Sequence, residues 1–166
     1  MHDGEVDTSP ALVRQLLAGQ FPQWAGLPLQ RVASAGTDHA IYRLGDDKAV
    51  RLPRIGWATG QAVKEMHWLP RLAPHLPLAL PEPLALGQPA AGYPWHWSVY
   101  RWQPGQNATI DTLTNPTATA VAVAHFLTSL QQIDTTDGPL AAEHDLRGRP
   151  LLTRDEATRD AIAGGM

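Results

Sequence analysis

No cysteine occurs among the 166 residues of the chain. Disulfides and thiolate metal sites are therefore excluded, and a reducing cytosol suits the protein. An excess of positive charge is also missing: 13 Lys+Arg against 16 Asp+Glu leave a formal net charge of -3. That balance gives no electrostatic reason to expect a nucleic acid partner. Long apolar runs are absent too, because prolines and charges interrupt each one well short of a membrane span. The N-terminus, MHDGEVDTSP, is acidic and has no apolar h-region, so no signal peptide is visible. Together these absences predict a cytoplasmic protein that meets neither membrane nor nucleic acid.

What is present suffices for a core. Hydrophobic residues make up 43% of the chain, and 15 prolines cut it into short elements. Asp7-Thr8-Ser9-Pro10 reads as a helix start, with Ser9 as N-cap, Pro10 first in the helix, and Val13, Leu16 and Leu17 on one face. Leu29 to Ala33 is expected to form a first strand. Ala40 to Leu44 and Lys48 to Leu52, joined by Gly45-Asp46-Asp47, read as a hairpin. Gln61 to Leu72 has helical spacing, and Pro70 predicts a kink or break within it. Pro83 to Leu86 can make a short strand, and Trp95 to Trp102 is a strong aromatic and β-branched strand stopped by Pro104-Gly105. Asn115-Pro116 opens another helix, with Val123, Leu127, Leu130 and Ile133 as its apolar stripe, and Arg154 to Ala163 suits a last one. Strands first and helices after predict an α+β lobe leading into a helical one.

The return strand of the hairpin is the stretch with the most chemistry. Side chains alternate along a strand, so Ala49 and Arg51 share one face and Val50 and Leu52 the other. Spacing alone reads Arg51 as a surface arginine, Lys64-Glu65 as two solvated charges and Gly36 as part of a plain turn. Trp95, Trp97 and Val99 read as core. His144-Asp145 is rejected as a His-x-Asp catalytic loop, since no residue separates the pair and neither Asn107 nor Asn115 follows it. His39, His67, His75, His96 and His125 show no ligand spacing, so no metal site is assigned.

Three segments in series, GTDHAIYRLGDDKAVRLPR, KEMHWLPRLAPHLP and YPWHWSVYRWQPG, give the chain a family likeness. It resembles the N-terminal part of the aminoglycoside phosphotransferase family, which has a kinase-like fold. The likeness spans most of residues 9 to 134. It implies a nucleotide-binding lobe of about five strands over residues 1–102, a hinge over 103–107, and the start of an incomplete helical lobe over 108–166. The activity it implies is transfer of the ATP γ-phosphoryl to a hydroxyl of a small molecule, with ATP and Mg²⁺ as cofactors.

In that reading Arg51, in place of the usual lysine, holds the phosphates. Glu65 orients Arg51, and Ala49 packs under adenine. Gly36 belongs to the phosphate-covering loop, and Arg101, Trp102 and Gln103 offer backbone hydrogen bonds to the base. The family's catalytic loop is not matched, so no catalytic residue is assigned. The expectation is a fragment that is inactive alone. The alternative, from another class, is a non-catalytic nucleotide-binding or interaction module left by truncation.

Overall fold

A computed structural model describes residues 5–33, 36–109, 111–138 and 151–164. Ala35, Glu143, His144 and Asp145, weighed in the sequence, lie outside the described residues. The backbone divides into two compact units, Met1–Gln132 and Ile133–Met166.

The first unit is a five-stranded antiparallel sheet with helices. Its strands are β1 (Leu29–Arg31), β2 (His39–Leu44), β3 (Lys48–Pro53), β4 (Pro83–Gly87) and β5 (Trp97–Arg101). Their spatial order is β1-β2-β3-β5-β4, so the last strand inserts between its predecessors. Helix α1 (Pro10–Gln20) begins where Ser9 Oγ accepts from the Leu12 amide at 3.4 Å. Its Val13, Leu16 and Leu17 pack on Tyr42, Leu44, Val50, Leu52, Trp97 and Val99, which form one face of the sheet. Burying a side chain of this size stabilises by about 1.5–3 kcal/mol. The Tyr42 hydroxyl donates to the Thr8 carbonyl at 2.5 Å, tying the start of α1 to β2.

The opposite face of the sheet carries the polar side chains. Along β3, Val50 and Leu52 are fully buried while Ala49 and Arg51 are half-buried, as strand alternation requires. Helix α2 (Gln61–Leu72) starts after Gly60, whose φ of 84° lies in the left-handed region that glycine adopts without strain. The helix runs unbroken to Leu72 despite Pro70. Of the expected kink or break, the break does not occur: Pro70 stands in the last turn, where a lost backbone bond has little helix left to disrupt. Strand β5 is shorter than the predicted Trp95–Trp102 run, because Trp95 leaves the sheet and its ring meets Tyr93 edge-on at 5.9 Å.

Helix α3 (Pro116–Gln131) is capped by Asn115, whose Oδ1 accepts from the Ala118 amide at 2.9 Å. Its Val123, Leu127 and Leu130 are exposed. In the second unit, α4 (Asp155–Gly164) is a short helix after one 3₁₀ turn. No helix among the described residues is long and apolar enough to cross a membrane.

Candidate functional site

The polar face of β3 and the first turns of α2 meet at Arg51. Gln61 and Glu65 are four residues apart, so one face of α2 presents both to the strand. Arg51 Nη1 donates to both Glu65 oxygens, at 2.8 and 2.6 Å. Its Nη2 donates to Gln61 Oε1 at 3.1 Å and lies 3.5 Å from His39 Nδ1. Glu65 also accepts the phenol of Tyr100 from β5. The ion pair is 27% exposed on each side, which limits its contribution to folding to about 1 kcal/mol. Its larger consequence is geometric: both terminal nitrogens of the guanidinium are engaged, and Nε–H remains without a partner among the described residues.

The expected meeting of Arg51 and Glu65 is thus present in the structure. Ala49 lies two residues along the same face and pairs across the sheet with Arg43 and Tyr100. Gly36 lines a cleft of about 350 Å³ under the β1–β2 connection, together with Arg31, Val32, His39, Ile41 and Arg54. His39 therefore touches both that cleft and Arg51.

At the end of β5 the backbone is partly committed. The Arg101 amide donates to Glu82 O at 2.9 Å and the Trp102 amide to Asp47 O at 2.7 Å. The Gln103 amide has no partner among the described residues, while its side chain donates to Leu80 O at 2.7 Å. Of the three residues expected to offer backbone hydrogen bonds to a ligand, Gln103 alone has its N–H available among the described contacts. Arg101 spends its guanidinium on Glu82 at 2.7 Å and Asp47 at 3.4 Å, and the Trp102 ring lies beneath Arg43 at 5.2 Å.

Sequence reasoning missed Tyr100, Gln61 and His39 as members of this cluster. The i, i+4 spacing of Gln61 and Glu65 was the one signal available. Tyr100 and His39 arrive through strand pairing over long sequence separations, which no local pattern announces.

Burial and the Arg51 charge hold the His39 pKa down at about 4, against smaller opposing effects of Glu65 and Asp38. His39 is therefore neutral at physiological pH, and its Nδ1 accepts from Arg51. A lowered histidine pKa means the unfolded chain binds the extra proton first, so stability rises with pH between about 4 and 6.5. The stability difference between wild type and His39→Gln is expected to change across that window and to be flat above it. An NMR titration of the His39 ring should show a midpoint near 4. A midpoint near 6.5 would place the ring in solvent, away from Arg51.

The geometry can hold an anion-bearing ligand against β3, with Arg51 as the fixed cation. Among the described residues no three His, Asp or Glu side chains are grouped to hold a metal ion. The described residues thus offer no ready-made cage for the magnesium that the family likeness implies.

A five-stranded antiparallel sheet with a strand cation held by a helix glutamate is the architecture of a kinase-like N-terminal lobe. Residues 30–164 match the phosphotransferase enzyme family (APH), and the chain belongs to that family. Similar solved structures are aminoglycoside phosphotransferases. A GDP complex of wild-type aminoglycoside 2'-phosphotransferase-IIIa has a TM-score of 0.73 at 17% identity, covering 91% of this chain and 50% of that one. A GDP and kanamycin complex of APH(2'')-IIIa has a TM-score of 0.67 at 18% identity, covering 91% and 56%. A streptomycin–ATP complex of APH(2'')-IIa has a TM-score of 0.53 at 17% identity, covering 81% and 44%. The chain thus spans about half the length of these structures. No curated protein matches it.

Proposed function

We propose that the chain supplies the nucleotide-binding lobe of a cytoplasmic small-molecule kinase that moves the ATP γ-phosphoryl to a substrate hydroxyl. The observation that carries this reading is the Arg51–Glu65 pair on the cleft face of β3, reinforced by Gln61. Arg51 would face the nucleotide phosphates through Nε–H and its charge, with Glu65 holding it in place. Ala49 would leave room for a flat base on the same face, and the Gln103 amide would donate to that base. Gly36 and its neighbours would cover the phosphates. An aminoglycoside is the acceptor class suggested by the similar structures, two of which hold kanamycin or streptomycin. We also propose residues 1–102 as the nucleotide lobe, 103–107 as the hinge and 108–166 as part of a helical lobe.

The sequence contains no His-x-Asp segment followed by asparagine. Phosphoryl transfer needs an aspartate beside the acceptor hydroxyl and magnesium ligands, and neither Arg51 nor Glu65 can serve. The 166-residue chain by itself is therefore expected to bind nucleotide without turnover. The exposed Val121, Val123, Leu127 and Leu130 on α3 favour self-association of the same preparation. A coupled ATPase and aminoglycoside-kinase assay, run beside size-exclusion chromatography, tests both points. Background activity and a concentration-dependent elution volume are the expected results. Turnover that disappears in Arg51→Ala would overturn the non-catalytic reading of the isolated chain.

A further inference from the structure

We propose that Tyr100 is a positioning residue of this site: its phenol fixes the Glu65 carboxylate, and through it the direction in which Arg51 meets nucleotide phosphates. The inference rests on the nucleotide reading above and adds to it a residue and a route of action.

Three observations carry it. Tyr100 stands on β5 directly across from Ala49, two residues from Arg51 along the shared face, and is only 6% exposed. Its hydroxyl donates to Glu65 Oε2, the same oxygen that accepts from Arg51 Nη1 at 2.6 Å. Helix α2 fully buries only Ala62 of its 12 residues, while Met66, Leu69 and Leu72 are half-buried, so its apolar seating leaves polar contacts to refine the Glu65 position. Polar contacts fix the carboxylate at the end of the Glu65 side chain, and among the described contacts Tyr100 supplies the one that is independent of Arg51. Burial, with the Glu65 bond adding to it, pushes the phenol up to about 12. Tyr100 thus stays protonated and remains a donor.

Remove the hydroxyl and, among the described contacts, Glu65 keeps only Arg51, so the pair can move as a unit. The ring stays in place in Tyr100→Phe, so contacts with a base are preserved. A role confined to satisfying a buried hydroxyl would leave ligand binding unaffected. A positioning role weakens ligands that carry phosphate and spares those that do not.

The test is binding of ATP and of adenosine to the full chain, for wild type, Tyr100→Phe, Glu65→Gln and the double variant. Tyr100→Phe is expected to weaken ATP about five- to tenfold, within the range for loss of one ordinary hydrogen bond, since the phenol acts on the ligand only through Glu65 and Arg51, and to leave adenosine unchanged. In the Glu65→Gln background the same change is expected to alter ATP affinity less than about twofold, since the route through the carboxylate is already lost. Glu65→Gln, which leaves Tyr100 intact, should show the same selective loss of ATP and serves if Tyr100→Phe folds poorly. Equal weakening of ATP and adenosine, no weakening of ATP, or fully multiplicative effects of the two variants would each overturn the inference. Wild-type chain that binds neither ligand would overturn the nucleotide reading itself, a result separable from the others because it appears before any substitution.

Discussion

Arg51→Ala is expected to lower the affinity of the chain for ATP by about 30-fold or more. Truncating one partner of a hydrogen-bonded charge pair in a partly desolvated site costs about 2–5 kcal/mol, and 2 kcal/mol corresponds to about 30-fold. Two losses combine. The cation facing the phosphates disappears, and Glu65 is left with the Tyr100 hydroxyl as its remaining donor among the described contacts. A bare carboxylate facing phosphates then repels what Arg51 attracted. Arg51→Lys restores the charge as a single point and should recover most of the affinity, because an ammonium can meet Glu65 and a phosphate together but cannot also reach Gln61 and His39. Lys48→Ala is the control. Lys48 sits at the hairpin end of β3, bonded to Asp47 at 2.6 Å and with its ammonium 5.7 Å from the Trp24 ring, so its loss should change ATP affinity less than about threefold. Calorimetric titration of the three variants checks the order.

The largest effect on stability is expected at Trp97. Its indole is fully buried between α1 and the sheet, meets Phe21 edge-on at 5.4 Å, and donates from Nε1 to the Gln88 carbonyl at 3.2 Å. Trp97→Ala should cost about 3–5 kcal/mol, a large part of the 5–15 kcal/mol that holds a typical domain. The same indole explains Gly87. A Cβ at that position would fall 2.0 Å from Trp97 Cε2, so β4 passes over the ring only as bare backbone. Gly87→Ala must push the indole or the edge strand aside and should cost about 1–3 kcal/mol or more. Urea unfolding followed by tryptophan fluorescence measures Gly87→Ala, and far-UV circular dichroism serves for Trp97→Ala. A change below about 0.5 kcal/mol in either would mean that the β4–β5 pairing is not packed as described.

Much of this lobe was legible in the sequence because its elements are local. Ser9-Pro10 and Asn115-Pro116 each carry a helix start in two residues, and both cap as read. The hairpin followed from alternation on either side of Gly45-Asp46-Asp47, and alternation alone put Arg51 on the face opposite Val50 and Leu52. The Arg51–Glu65 contact needed one further step, the likeness to a known family, since nothing in a 14-residue separation says that a strand cation and a helix acid will meet.

What stayed hidden depends on sheet order. Strand β5 inserts beside β3, and that adjacency brings the Tyr100 hydroxyl to Glu65 from 35 residues away. Read along the chain, Tyr100 was only one more aromatic residue of the Trp95–Trp102 strand. The same adjacency commits the Trp102 amide to Asp47, which no composition or period could foretell. Pro70 failed as a helix breaker because its position in the final turn outweighed its intrinsic cost.

The most direct test of the central claim, that nucleotide is held on the Arg51 face of β3, is a map of amide chemical shifts as ATP is added to the ¹⁵N-labelled chain. The predicted result is a contiguous set of shifts at Ala49, Arg51, Glu65, Tyr100 and Gln103, with Gly36 joining them and the α1 face of the sheet unmoved. Shifts that cluster elsewhere on the chain, or saturating ATP that moves none of these amides, would contradict it.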